Sequence, residues 1–152
     1  MKNFIFAFIL FALLTVNAAP FQLNKRYSIF LPCPFTTSDL LGVDIKPDPP
    51  VSEKSVSFNV SGTLSYYNIT KGKTFLLIQY TNEAFGPFTD DYKQNFTKSI
   101  KAGTPFQIFA PEVPTPKLPN AYELLVAVAE LSDDPAYKYN ALACVFSSYN
   151  YS

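Results

Sequence analysis

The chain predicts an all-β fold, an immunoglobulin-like β-sandwich of about seven antiparallel strands. Three observations carry this reading. Beyond residue 18 no window long enough for a helix shows the i, i+3, i+4, i+7 apolar face, whereas several windows alternate apolar and polar residues. The alternating runs are short and punctuated by proline and glycine, with 13 prolines among 152 residues. The length itself suits about one domain.

Taken in order, the first strand is Leu41 to Ile45: Leu41, Val43 and Ile45 alternate with small or polar residues until Pro47, Asp48, Pro49 and Pro50 stop it. In the second, Val56, Phe58, Val60, Gly62 and Leu64 alternate with Ser55, Ser57, Asn59, Ser61 and Thr63. Asn59 opens an Asn-x-Ser sequon, and a sugar on it would need solvent, so Phe58 and Val60 are expected to face inward. The third, Thr74 to Thr81, is apolar on both faces, with Gln79 marking Leu76, Ile78 and Tyr80 as the inner row. Further strands are expected at Tyr92 to Ile100, Phe106 to Phe109, Tyr122 to Leu131 and Ala141 to Ser148. Turns are expected at Ala84 to Pro87 and Pro111 to Asn120.

The amino-terminal block is not part of this pattern. Residues 1–18 read as a secretory signal peptide, with Lys2 at its positive end, an apolar run from Phe4 to Leu14, and a cleavage site at Val16, Asn17 and Ala18. The run is too short to span a bilayer core of ~30 Å as a helix. Residues 19–26 end in Lys25 and Arg26, a dibasic pair that reads either as a propeptide processing site or as a plain surface pair. The domain proper is then 27–152, in the cell exterior or the lumen of the secretory or vacuolar pathway. Loss of Lys2, Lys25 and Arg26 would leave nine basic residues against twelve acidic ones, a net charge of −3. Such a chain has no basic patch for phosphate, so no nucleic-acid partner is expected. Arg26 is the only arginine, so the processed chain could build no bidentate guanidinium clamp on an anion.

Cys33 and Cys144 lie near the two ends of the domain, and a secreted setting favours a disulfide between them, two free thiols being the alternative. Glycosylation is expected at Asn59, Asn68 and Asn95, while a fourth sequon at Asn150 sits too near the chain end. Catalysis is not expected. Without histidine, the Ser-His, Cys-His and His-metal sites of many hydrolases cannot form. The acid pairs Asp90–Asp91 and Asp133–Asp134 fit solvated turns better than acid-base or calcium chemistry, since adjacent strand residues point to opposite faces and no EF-hand spacing occurs. No metal or cofactor is expected. Tyr137, Tyr139, Tyr149 and Tyr151 could form an aromatic patch for membrane docking or be scattered surface residues.

Several segments together carry a family resemblance: a cysteine before the first strand, DLLGVDIKPDPPV, SVSFNVSGTLS, KGKT, and SDDP followed by ALACVF. Over roughly Cys33 to Phe146 the chain resembles the ML domain, the MD-2-related lipid-recognition family, and most closely its fungal phosphatidylglycerol/phosphatidylinositol transfer branch, related to the Niemann-Pick sterol carrier. The resemblance implies two sheets splayed at one edge around an apolar cavity for a sterol or phospholipid. It also implies that Cys33 and Cys144 form the outermost disulfide; the additional internal disulfides common in the family cannot form here. On that basis the cavity-lining candidates are Val43, Ile45, Val56, Phe58, Val60, Leu64, Leu76, Ile78, Tyr80, Phe96, Tyr122, Leu124, Val126 and Val128. The expected function is non-enzymatic lipid carriage by a monomer with transient membrane-surface contact. The alternative is an immunoglobulin-like interaction module with a solid core, acting in a cell wall or at a host surface.

Overall fold

The computed structural model describes residues 27–35 and 39–151, so the signal peptide at 1–18 and the segment 19–26 lie outside the described residues. The described chain is all-β. In order the strands are β1 (Leu31–Pro32), β2 (Leu41–Lys46), β3 (Ser55–Thr63), β4 (Phe75–Thr81), β5 (Tyr92–Asn95), β6 (Pro105–Pro114), β7 (Ala121–Leu131) and β8 (Tyr139–Asn150). They form a five-stranded sheet, β1-β8-β7-β4-β5, and a three-stranded sheet, β2-β3-β6. Every strand pairing is antiparallel.

Period-two alternation decides what each sheet buries. On β3, Val56, Phe58 and Val60 are fully buried, while Ser57 and Asn59 between them are half-exposed. The inner rows of both sheets meet in one apolar cluster, with Phe58 and Val60 from one side and Leu76, Ile78, Leu124 and Val126 from the other. This face-to-face contact makes the molecule a β-sandwich. Strands β4 and β7 are apolar on both faces because the five-stranded sheet is covered outside as well. There Phe75, Leu77, Leu125, Ala127 and Ala129 form a second cluster with the two cysteines. Phe85 closes it, meeting Phe35 and Phe146 edge-to-face at centroid distances of 5.2 and 5.3 Å.

Cys33 and Cys144 are bonded in a disulfide, 111 residues apart in sequence. The bond staples the segment after β1 to β8, where Leu31 pairs with Phe146 and Pro32 with Val145. No helix among the described residues is long and apolar enough to cross a membrane.

Strand β8 is two residues longer at each end than expected, and three larger differences from the sequence reading stand out. The two-residue β1 was not expected, being too short to show alternation. β5 stops at Asn95 rather than Ile100, and Ile100 instead exchanges backbone hydrogen bonds with Ile69 at 2.8 Å. β6 continues to Pro114, through residues expected to turn. It is an edge strand bonded only to β3, so Pro111 and Pro114 can lie where no ladder donor is needed.

Candidate functional site

The sequence candidates converge. Ile45, Val56, Phe58, Val60, Leu64, Leu76, Ile78, Tyr80, Phe96, Tyr122, Leu124, Val126 and Val128 are all buried members of the inter-sheet cluster, and Val43 packs against its margin half-buried. The opposed rows follow from register: Val60 pairs with Val43 and Ile108, and Ile78 pairs with Val126. The cluster also contains residues outside the candidate set, among them Phe106, Ile108, Ala110 and Val113 of β6 and Leu142, Ala143 and Val145 of β8. On β6 the alternation of Phe106 and Ile108 was legible, but Pro111 hid its continuation. On β8 the register with β7 skips Leu142, so Leu142 and Ala143 both reach the cluster, which no strict period-two reading can find.

A recess shares its lining with this cluster. Near Tyr92, where β5 begins, the edge between β4 and the end of β6 opens into a space of about 270 Å³. Ile78, Tyr80, Val113 and Thr115 supply its buried lining, and Asp90 and Tyr92 are more exposed. The Tyr80 hydroxyl lies 3.1 Å from Thr115 Oγ1. Burial pushes the Tyr80 phenol up to about 12, with the Thr115 hydrogen bond pulling the other way and the nearby Tyr149 adding to the rise. The recess therefore offers apolar walls, an un-ionised hydroxyl pair and the carboxylates of Asp90 and Asp91. Its chemistry suits a largely apolar guest bearing one polar group.

Asp91, which also lines the recess, departs from the expected solvated turn. Its side chain is 6% exposed, and its carboxylate accepts hydrogen bonds from Gln79 Nε2, Lys138 Nζ and Tyr139 Oη. Asp134 is a turn residue as expected, accepting from the Ala136 amide at 2.9 Å. The four tyrosines that could have formed one patch do not all come together. Tyr137 and Tyr139 lie at the start of β8, and Tyr149 and Tyr151 at its end, where Tyr149 is buried and stacks on Tyr122 at 4.6 Å.

The three sequons expected to carry sugar face outward. Asn59 is half-buried on the outer face of the three-stranded sheet, and Asn68 and Asn95 are exposed. Asn68 Oδ1 accepts from the Ala102 amide at 2.8 Å. The chain matches no protein-family model and no curated protein.

Proposed function

We propose that the chain is a secreted, non-enzymatic carrier of the ML type that takes a sterol or a phospholipid acyl chain between its two sheets. The observation that carries this reading is the recess at the sandwich edge, because Ile78 and Tyr80 belong at once to its wall and to the inter-sheet cluster. A guest entering there would continue a path already lined by apolar side chains. Its transfer from water is favourable by about 0.8 kcal/mol per CH₂. The Tyr80 and Thr115 hydroxyls would meet a sterol hydroxyl or an ester oxygen. The disulfide and the amino-terminal signal pattern support a secretory location.

A second reading is favoured by a different observation. Val56, Phe58, Val60, Leu76, Leu124, Val126 and Val128 are fully buried against one another, as in a solid interaction module. In the carrier reading the sheets must part at the recess to admit a guest. Saturable uptake of a fluorescent sterol or phospholipid analogue, near one per chain, is the expected outcome, and Val113→Trp, which narrows the recess, should weaken it. Absence of saturable uptake of either analogue by the wild type would favour the interaction module.

A further inference from the structure

The outward face of the three-stranded sheet lies in an open groove of about 1300 Å³. Its rows are polar or small, with Asp44 and Lys46 on β2, Ser57 and Asn59 on β3, and Gln107 on β6. Phe109 stands among them, 57% exposed. An exposed phenyl ring in a groove whose lining mixes serine and amide side chains with Tyr27 and Phe30 calls for a cover that is polar at its rim and apolar on one face. A pyranose has that character.

The register supplies the attachment point. Asn59 of the Asn59–Val60–Ser61 sequon lies directly opposite Phe109, and such cross-strand Cβ atoms are about 4.5 to 5.5 Å apart. Gln107 Nε2 donates to Asn59 Oδ1 at 2.8 Å. This fixes the amide through its oxygen and leaves Nδ2, the atom that would carry a sugar, without a hydrogen-bond partner among the described residues. Asn95 makes a useful contrast. It too lies opposite a phenylalanine, Phe75, but that ring is buried against Tyr139 at 5.7 Å and leaves nothing for a sugar to cover.

We propose that Asn59 is N-glycosylated and that its first sugar lies against the Phe109 ring, so that the glycan forms the outer layer of the three-stranded sheet. The donor is a lipid-pyrophosphate oligosaccharide of the secretory lumen. The Nδ2–C1 bond forms, the C1–O bond to pyrophosphate breaks, the pyrophosphate leaves with the electron pair, and the amide gives up one proton. The apolar face of the sugar then removes the exposed ring from water. This inference rests on the secretory location proposed above and is independent of any lipid cargo.

The test uses the full chain with its own leader in a eukaryotic secretory host. Glycopeptide mapping of the secreted protein is expected to find Asn59 occupied. Ser61→Ala destroys the sequon while keeping Asn59 and its hydrogen bond from Gln107, and Phe109→Ser removes the platform while keeping the glycan. Each is expected to lower the melting temperature by about 2 to 4 °C, and the double variant to fall little further. Should Phe109→Ser fail to be secreted, Phe109→Leu carries the same cycle. An unmodified Asn59, or single effects that simply add, would overturn the proposal, as would a wild-type chain that never reaches the lumen. Occupied Asn59 with coupled effects, but no lipid uptake, would sustain it and overturn only the carrier reading.

Discussion

At Asp91 burial and hydrogen bonding act in opposite directions on one carboxylate. Burial raises its pKa, but hydrogen bonds from Lys138, Tyr139 and Gln79 together outweigh it and hold the carboxyl below its ordinary value. A group depressed in the folded state contributes stability above its unfolded pKa, about 3.9, and loses that contribution as pH falls through the folded value. Glu123, lifted by burial, has the opposite sign and offsets part of the effect. Asp91→Asn is therefore expected to cost about 1 to 3 kcal/mol at neutral pH and progressively less as pH falls below about 4 and through the folded value, read from urea unfolding at neutral pH and at the acid end of that range. Equal losses at the two pH values would show that the charge is immaterial. The buried tyrosines behave in the alkaline range. Burial lifts Tyr122 and Tyr149 as well as Tyr80, so the stability held by their neutral phenols is present below about pH 10 and lost as pH rises through the folded values. Ultraviolet titration should resolve a buried set, Tyr80, Tyr122 and Tyr149, that ionises above the ordinary phenol value or only on unfolding. A single titration of every tyrosine near pH 10 with the fold intact would contradict this burial.

Among the elements, the disulfide couples the chain's two ends most directly. It joins the segment after β1 to β8 across 111 residues, and closing a loop of that size is worth on the order of 4 to 5 kcal/mol in the chain-entropy model. Cys33→Ala with Cys144→Ala removes both thiols together, and it should lower the melting temperature by roughly 10 °C or more in a calorimetric scan. A change of only a degree or two would mean that β1 and the second apolar cluster hold the ends without the bond. The pairing was legible in the sequence because only two cysteines exist. Strand β3 and the inner row of β4 were legible because Asn59 and Gln79 mark parity in otherwise ambiguous runs. The second cluster was less so: β4 read as apolar on both faces, but nothing in the pattern named the outer cover that Phe85 helps to supply. The recess could not be read at all. It depends on β6 running on to Pro114, a boundary set by edge pairing and not by local pattern.

For the whole molecule the decisive property is how readily the two sheets part. Val60 is fully buried at the centre of the three-stranded sheet, paired with Val43 and Ile108, and its side chain points at the opposing sheet. In a sandwich that never opens, Val60→Trp must force the added ring into space already filled and should cost about 1 to 3 kcal/mol or more, several degrees of melting temperature. In a carrier the layers already separate to admit a guest, and a cavity for a small apolar ligand is typically about 300 Å³ or larger. The indole would then occupy guest space at little cost to the empty protein. The carrier reading therefore predicts that Val60→Trp leaves the ligand-free melting temperature within a few degrees of the wild type and weakens uptake of a fluorescent lipid analogue about tenfold. A drop of more than about 5 °C, together with no uptake by the wild type, would identify the solid sandwich. Retained stability with undiminished uptake would place the guest away from Val60, toward the recess walls at Ile78 and Val113, where Val113→Trp would then be the variant that blocks it.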